Sequence, residues 1–256
     1  KHNTLSPKLQ RKRQVVSFFV PYSKKEGNII LAFILGTIIG SFLSLVSVRF
    51  PNNQSLVFPP SHCDHCKTRL HSWEMIPLLS AMIQRFHCRH CHQRFSARSF
   101  GLEFFCGMLF YWCMPTFQWF NLWKLIWLMS TLVLAVIDWE FLIVEMRIFF
   151  LSGIFLFITA LFLLPTIYWS QPLVVIVFFY LSQKILPNSL GLGDLWILGL
   201  WSFFLSGYEL IQLLFVASLT GIFYYLYHSR HQKQLEQLPF VPFLFIGLLY
   251  LLLLKN

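Results

Sequence analysis

Apolar runs follow one another along almost the whole of this chain and constrain its fold more than any other feature. Their approximate limits are 28–48, 102–117, 121–138, 148–165, 172–186, 194–207, 209–228 and 240–254. A helix needs about 20 apolar residues to cross a hydrocarbon core of roughly 30 Å, and several runs are shorter than that. The runs predict an all-α polytopic membrane protein with about eight transmembrane helices, seven being the next count.

The composition excludes an ordinary soluble domain. Only 12% of the 256 residues are charged and 57% are hydrophobic, whereas a soluble domain carries about twice that charged fraction. Lys and Arg number 20 against 10 Asp and Glu, an excess typical of positive-inside loops and of contact with anionic lipid. Nucleic-acid binding requires basic residues interleaved with aromatics on one solvated face, and no such block follows the first 25 residues. We expect membrane lipid, and no nucleic acid, among the partners.

Loop charge predicts the orientation and the domain plan. The stretch 49–100 holds seven Lys and Arg against Asp64 and Glu74, so we place it in the cytoplasm. The later connections then alternate, with Arg147 and Lys184 on the inside. We divide the chain into a basic N-terminal tail of unknown role (1–28), a first transmembrane helix (29–49), a cytoplasmic cysteine loop (50–101) and a transmembrane core (102–256).

Four cysteines in two pairs predict a metal site in the cytoplasmic loop. Cys63 and Cys66 form one Cys-x-x-Cys, and Cys88 and Cys91 form a second after 21 intervening residues. Four thiolates can converge on a tetrahedral zinc ion, which then has no free position for a catalytic water and is structural. Two disulfides, or four unliganded cysteines, are the alternatives to a metal. Nearby histidines are alternative ligands: His62, His65, His87, His90 and His92.

Two aspartates border the membrane at the same predicted depth. Asp138 ends the third apolar run, and Asp194 starts the sixth in the sequence Gly-Leu-Gly-Asp. An ionisable residue in a membrane segment generally faces a bundle interior or a watery cavity. Two carboxylates that share a site can act as base and acid toward one water molecule and so hydrolyse a peptide bond. We therefore predict a catalytic pair.

The two glycines before Asp194 suit such a site. Gly191 and Gly193 allow a close backbone approach, and we expect the chain to need unusual dihedral angles where it enters the helix. The simpler interpretation is an ordinary helix start that the aspartate caps.

Three glutamates near these features have simpler expected roles. Glu140 and Glu145 follow Asp138, and we expect them to be solvated charges in the cytoplasmic connection. Glu103 opens the second apolar run, where it is expected to pair with Arg98 or to cap a helix.

The ordered motifs resemble the type IV prepilin peptidases, which are aspartic proteases of the Gly-x-Gly-Asp type. The likeness runs from about residue 36 to 250 and is carried by GTIIGSFLSLVSVRFP, the paired Cys-x-x-Cys with its internal IPLLS, ARSFGLEFF, GLGD and LPFVPFLFIG. It implies that Asp138 and Asp194 are the catalytic residues. It also implies that the other motif residues shape the active site and bind substrate: Gly40, Ser41, Glu103, Gly191, Gly193, Pro239 and Pro242.

The resemblance further implies a membrane-embedded aspartic endopeptidase of the bacterial cytoplasmic membrane. Such enzymes remove the short basic leader from type IV prepilins or pseudopilins at the cytoplasmic face, and many also methylate the new N-terminus with S-adenosylmethionine. In this chain Ser44 replaces an Asn of the family, and Glu145-Met146 replaces Pro-Asp or Pro-Asn. Phe86 replaces a glycine tied to methyl transfer. We predict the peptidase and leave methylation open, with S-adenosylmethionine a cofactor only if methylation is retained.

Two other functional classes account for part of the pattern. An ion or proton transporter would explain the two aspartates. A non-enzymatic scaffold with a zinc docking loop would explain the cysteines. Neither explains the motifs together, and Asp194→Asn separates the three hypotheses, because it abolishes cleavage in the first, ion flux in the second and nothing in the third.

Overall fold

The computed structural model describes residues 29–63, 65–95, 97–114, 118–185, 191–231 and 237–254. The basic tail and Asp64 lie outside these residues. The helices are α1 (Ile29–Arg49), α2 (Leu79–Ile83), α3 (Arg98–Cys113), α4 (Trp119–Phe141), α5 (Met146–Leu163), α6 (Gln171–Ile185), α7 (Leu192–Trp201), α8 (Gly207–His231) and α9 (Val241–Leu249). A 3₁₀ turn, Ser72–Met75, precedes α2, and a π-helical turn, Tyr250–Leu254, follows α9.

Every predicted apolar run forms a helix. Among the described residues, α1, α4, α5 and α8 are long and apolar enough to cross a membrane, and α6, α7 and α9 are shorter apolar helices. The described segments contain isolated β-bridges in the cysteine loop and no extended strand. The all-α polytopic class with a four-cysteine loop is therefore confirmed.

The core of the bundle is built around α4 and α9. Helix α9 packs on both α8 and α4 and buries six of its nine residues. At the far end of α4, the Trp127 ring lies 5.7 Å from Trp201 of α7 and 5.4 Å from Phe204, in edge-on contacts. Each such aromatic pair is worth about 0.5–1.5 kcal/mol beyond its buried area. These contacts join α7 to the core at the end that is remote from Asp194.

Helices α1 and α3 pack closely through glycines one turn apart. A Cβ atom on Gly36 would lie 2.7 Å from the Cys106 carbonyl oxygen, and one on Gly40 would lie 2.9 Å from the Glu103 Cα. Small residues at four-residue spacing let two helix backbones approach in this way. Gly40 and Glu103 therefore contact each other in a helix–helix interface.

Ion pairs join the helix ends at the side of the bundle that carries the cysteine loop. Arg98, at the start of α3, pairs with Glu140. Arg147, at the start of α5, pairs with Glu145 at 2.7 Å and donates to Asn53 Oδ1 at 2.9 Å. The side chains of Glu140 and Glu145 are only 16% and 12% exposed. The prediction that they are solvated charges is wrong, because each neutralises an arginine that ties two helices together.

Candidate active site

Asp138 lies buried in the last turn of α4, facing the start of α9. The backbone N–H of Val241 donates to its Oδ2 at 3.0 Å. Val241 is the first residue of α9 and Pro242 the second, a place where proline's missing N–H costs no helical hydrogen bond. The positive end of the α9 dipole thus points at the Asp138 carboxylate and favours its charged form.

Asp194 is the third residue of α7, and Gly191 is the cap of that helix. The Gly191 backbone N–H is hydrogen-bonded to the Asp194 carboxylate. A carboxylate at this position that reaches back to the cap N–H forms one half of a capping box. The simpler interpretation, in which Asp194 is the cap of the helix, is wrong, because Gly191 is the cap and Asp194 is the third residue of the helix. A helix N-terminus nevertheless faces each of the two aspartates.

The two glycines before Asp194 allow close packing and do not adopt unusual dihedral angles. Gly191 has φ −72° and ψ 148°, ordinary extended backbone, and no described glycine has a positive φ. The expectation of unusual dihedrals is wrong. A Cβ on Gly193, however, would stand 2.5 Å from Val144 Cγ2 and 2.8 Å from Val144 Cβ. Gly193 is small because the connection between α4 and α5 passes directly over it.

Both aspartates line one cavity of about 1060 Å³. Its walls come from the connection after α4, from α6, from the start of α7 and from the segment before α9. Besides the aspartates, the lining residues are Leu142, Ile143, Val144, Met146, Phe179, Gln183, Gly191, Leu192, Gly193, Gln237, Leu238 and Phe240. Two carboxylates in a largely apolar recess, with two glutamines as the other polar side chains, form a site suited to acid–base chemistry on a bound chain.

The structure separates the predicted site residues into groups. Gly191 and Gly193 line the cavity together with the aspartates. Pro239 and Pro242 flank two residues of the site. Phe240 lines the cavity, and the N–H of Val241 donates to Asp138. The remaining three, Gly40, Ser41 and Glu103, are absent from the cavity wall and belong to the paired helices α1 and α3.

Sequence reasoning missed two contributors to the site: the side chain of Val144 and the backbone amide that donates to Asp138. Val144 lines the cavity and fixes the approach of Gly193, yet nothing marks it in the sequence beyond its place six residues after Asp138. The donor to Asp138 is a backbone amide, which carries no residue-type signal. The closing Pro-Phe-Val-Pro motif was the available sign that a helix start is held at this point.

The four cysteines of the loop converge as the spacing predicts. Their Sγ atoms all lie within 4.8 Å of one another. Cys63 Sγ lies 3.8 Å from Cys91 Sγ, and Cys66 Sγ lies 3.9 Å from Cys88 Sγ. A tetrahedral ion with Zn–S bonds of about 2.3 Å places its sulfurs roughly 3.8 Å apart, and a disulfide needs about 2.05 Å. The described cysteines are unbridged thiols, and these four can hold a metal ion.

Two matching turns present these thiols. In each, the first cysteine accepts the N–H of the residue four positions on: Lys67 bonds to Cys63 O, and His92 to Cys88 O, both at 2.9 Å. Lys67 and His92 both have φ 56°, in the left-handed region. The repeated geometry shows that each Cys-x-x-Cys folds as one half of a single centre.

Hydrogen bonds at the centre favour thiolates on part of the set. The Thr68 side chain and backbone lower the pKa of Cys66 to about 6. The backbone N–H groups of Cys91 and His90 lower the pKa of Cys88. Although the Gln93 backbone lowers it, burial and the neighbouring thiols raise the pKa of Cys91 to about 11. Four close thiols without a cation cannot all ionise, so the donor set suits a cation that would compensate their charge.

Two of the alternative histidine ligands, His62 and His87, and also Phe86 have other contacts. His62 Nδ1 lies 2.9 Å from the Pro60 carbonyl oxygen, and His87 Nδ1 lies 2.6 Å from that of Arg85. Phe86 has φ 59°, a left-handed conformation that suits the family glycine. Its ring packs 5.2 Å from Phe100. Phe86 therefore holds a left-handed backbone and an aromatic contact at the position where the chain departs from the family pattern.

Comparisons with known proteins agree with the resemblance. A family model described as the bacterial peptidase A24 N-terminal domain matches residues 34–117. The prepilin leader peptidase/N-methyltransferase of Myxococcus xanthus (strain DK1622) is 32% identical over 203 residues, covering 75% of this chain and 60% of that protein. The Bacillus subtilis (strain 168) protein of the same name is 35% identical over 80 residues, 31% of this chain and 32% of that protein.

A third relative carries a related name. The type 4 prepilin-like proteins leader peptide-processing enzyme of Escherichia coli O78:H11 (strain H10407 / ETEC) is 32% identical over 99 residues, 32% of this chain and 37% of that protein. The chain thus spans less than two thirds of the length of each of these relatives. No solved structure matches. The family model over the first helices and the long alignment to the Myxococcus protein show that the chain is similar to the type IV prepilin peptidases over most of its length.

Proposed function

We propose that this protein is a membrane-embedded aspartic endopeptidase. It removes the short basic leader from type IV prepilins or pseudopilins at the cytoplasmic face of the bacterial inner membrane. The observation that carries the proposal is the pair of carboxylates, Asp138 and Asp194, on the wall of one cavity. The names of the bacterial relatives supply the substrate class.

The two carboxylates share one proton and act on a water molecule held between them. The ionised one takes a proton from the water as the water oxygen bonds to the scissile carbonyl carbon, and the protonated one donates to the carbonyl oxygen. The C–N bond of the tetrahedral intermediate then breaks, and the leaving nitrogen takes the proton that the first carboxylate holds. The second carboxylate recovers its proton from the collapsing hydroxyl. The titration belongs to the pair as a unit.

The chain around the pair has positioning tasks. The N–H groups of Val241 and Gly191 hold the two carboxylates. The contact between Val144 and Gly193 sets how closely α7 approaches the end of α4. The apolar wall limits the water that reaches the reacting bond, and the size of the cavity admits an unwound backbone segment at membrane depth.

The topology that supports cleavage places the basic leader in the cytoplasm. The ion pairs at the helix ends lie on the same side of the bundle as the basic cysteine loop, and Glu140 of one pair is two residues from Asp138. The leader stays on this side because of its charge, while the apolar segment that follows it enters the membrane. The scissile bond then lies at the level of the aspartates.

The metal at the cysteine centre is zinc in our proposal. Cys63, Cys66, Cys88 and Cys91 would hold it, and the ion would cross-link a loop that has a small core of its own. Four thiolate ligands leave no coordination position for substrate, so zinc has a structural task, separate from the chemistry of the aspartates.

The test is cleavage of a co-expressed prepilin, read by mass spectrometry for the wild type, Asp138→Asn and Asp194→Asn. Both variants should lose leader removal, since an amide can neither take nor supply the required proton. The same spectra report methyl transfer, because a methyl group changes the mass of the new N-terminus.

Glu140→Gln is the matched control, because Glu140 lies on α4 two residues beyond Asp138 and outside the cavity wall. It should keep cleavage within about threefold of the wild type, because Arg98 of the pair is half exposed and glutamine can still accept a hydrogen bond from it. Wild-type cleavage by either Asp→Asn variant would overturn the dyad. A proton or ion flux that Asp194→Asn abolishes, in a protein that cleaves nothing, would identify a transporter.

A further inference from the structure

The cysteine loop carries an apolar surface that the described bundle leaves uncovered. It is formed by the 3₁₀ turn and α2, and we name it the apolar loop surface: Met75, Ile76, Leu79, Met82 and Ile83. Leu79, Met82 and Ile83 share one face of α2 because they are three and four residues apart. Met82 and Ile83 are 62% and 65% exposed. Adjacent large apolar side chains at such exposure mark a contact surface.

A buried carboxylate determines the depth at which this surface lies. Leu78, the residue before α2, donates its backbone N–H to Glu103 Oε2 at 2.8 Å. Glu103 in turn lies against Gly40 of α1. Gly40 precedes Arg49, the last residue of α1, by nine residues, which is about 13 Å of helix. The start of α2 therefore lies beside α3 at the level of Gly40, well short of the end of α1.

The helices at this depth present apolar side chains outward. Phe104 follows Glu103 directly on α3 and is half exposed, and so is Phe42, two residues from Gly40 on α1. In a helix that crosses the bilayer, such side chains meet lipid. Leu79 of the apolar loop surface directly follows Leu78, so this surface starts at the same depth and the lipid that surrounds α1 and α3 also reaches it.

Basic side chains border the apolar loop surface. Exposed Arg85 follows Ile83 by two residues, and the guanidinium of exposed Arg89 lies 4.2 Å from the centre of the Trp73 ring in the 3₁₀ turn. An apolar face with a basic border is the pattern of segments that lie in the plane of an anionic membrane. An apolar protein segment offers no negative charge to the two arginines, whereas an anionic phospholipid does. The charge therefore favours phospholipid as the occupant.

We propose that the apolar loop surface inserts into the cytoplasmic leaflet at the boundary between headgroups and acyl chains. Arg85 and Arg89 contact the phosphates of anionic phospholipids there. The cysteine centre is consequently held against the membrane and does not extend into the cytoplasm. This inference requires only that α1 and α3 are embedded, so it stands or falls separately from the peptidase activity.

Photolabelling of the full chain in nanodiscs tests the inference. The discs contain phosphatidylcholine and phosphatidylglycerol with a trace of a phospholipid whose diazirine lies near the start of the acyl chain. Trypsin releases residues 70–85 as one peptide that holds the whole apolar loop surface, and residues 86–89 and 90–94 as peptides of the same loop without it. We expect at least ~5-fold more lipid adduct per residue in the first peptide, because interfacial side chains reach roughly 5–10 Å into the boundary.

Equal adduct in the three peptides would overturn the proposal. Leu79→Ser, Met82→Ser and Ile83→Ser together should reduce the adduct to the level of the other two peptides. Bound metal, measured in the same sample, reports whether the variant loop is folded. Met82→Ser alone should lower the adduct at least ~2-fold where the triple variant does not fold, because the free energy of insertion falls with the apolar area removed.

Lipid charge tests the part assigned to the arginines. Omission of phosphatidylglycerol should lower the adduct in residues 70–85 at least ~2-fold, because each basic residue near an anionic surface adds to the attraction. Addition of salt should lower it similarly in the anionic discs and leave it unchanged in phosphatidylcholine alone. An adduct that is the same with and without phosphatidylglycerol would exclude the contact between the arginines and the phosphates.

Discussion

The two helices that carry the aspartates are held in different ways. Helix α4, with Asp138 in its last turn, has 61% of its spanning window buried, against 22% for α5 or α8. Its aspartate is itself buried and bonded to the start of α9. Helix α7, with Asp194 in its first turn, has ten residues, packs on α5 and α6, and buries side chains only from Ile197 onward. Asp194 is half buried.

This difference assigns different tasks to the surroundings of each carboxylate. The core of the bundle fixes the position of Asp138. A single substitution nearby therefore leaves many other contacts that keep this carboxylate in place. The far end of α7 is fixed by Trp201 against Trp127, whereas its first turn rests on the fit between Gly193 and Val144. We infer that α7 sets the separation of the two carboxylates, and that small changes beside Asp194 alter catalysis more than similar changes beside Asp138.

The largest effect is expected for replacement of either aspartate, and it should be the same for both although their helices are held differently. Asp138→Asn and Asp194→Asn should each lower the single-turnover cleavage rate of a purified prepilin at least ~10³-fold, because each removes a proton donor or acceptor from the transition state. Both variants should fold, since Asn keeps the shape of Asp and can still accept the backbone N–H. Thermal unfolding in detergent checks this. A variant that keeps a tenth of the wild-type rate would show that its carboxylate is outside the chemistry.

Sequence reasoning predicted the helices and the pair of aspartates, since both depend on local signals: apolar runs, and charged residues at their ends. It failed where the cause is contact through space. Gly193 is recognisable in sequence as a glycine, but only the position of Val144 shows that its reason is steric and not conformational. Gly40 and Glu103 are motif residues in the same way, yet they pack α1 on α3 away from the cavity.

The second largest effect should come from Gly193→Ala, which tests the fit of α7 directly. The added Cβ would overlap Val144, so the first turn of α7 has to move outward and carry Asp194 with it. A displacement near 1 Å at a reacting group costs roughly 10²-fold in rate. The rate constant of cleavage at saturating prepilin should fall by that order, with KM changed less.

The double variant Gly193→Ala with Val144→Gly should recover at least ~10-fold of the lost rate, because glycine at 144 removes both the Cγ2 and the Cβ that the new methyl group would meet. Gly199→Ala on the same helix is the matched control, since its Cβ would meet no atom within 4 Å. It should leave cleavage unchanged. If the double variant is as slow as Gly193→Ala, the contact with Val144 does not set the position of Asp194.

A smaller effect is expected at Asp138, where one hydrogen bond supplements a fixed position. Incorporation of the α-hydroxy analogue of valine at position 241 replaces the amide by an ester, which removes the N–H that donates to Asp138 and weakens the Phe240 carbonyl as an acceptor within α9. A hydrogen bond to a charged group is worth about 1.5–3 kcal/mol, so the cleavage rate should fall roughly 10-fold or somewhat more. The pH profile should also move, because the N–H favours the ionised form of the pair.

The matched control is the same ester substitution at Leu244, whose N–H bonds to Phe240 O within the first turn of α9 and does not reach the aspartates. It should lower stability by a similar amount and leave the pH profile in place. Equal pH profiles for the two esters would mean that the start of α9 merely packs against Asp138.

The smallest effect on cleavage should follow loss of the metal, because no described residue between Cys63 and Cys91 lines the cavity. The loop is tied to α3 by the hydrogen bond from Leu78 to Glu103, and α3 is tied to α4 by the ion pair of Arg98 with Glu140. Both contacts connect the loop to the Asp138 side of the site, which the core of the bundle holds in place. Cys88→Ser should therefore lower cleavage only a few-fold, which corresponds to about 1 kcal/mol. Bound zinc, measured by elemental analysis, should be lost, and proteolysis within the loop should become faster.

Cys106→Ser, a buried cysteine of α3 outside the cluster, is the control that keeps zinc. A loss of cleavage as large as that of Gly193→Ala would show that the loop acts on the position of Asp194 and that the two sides of the site are not independent.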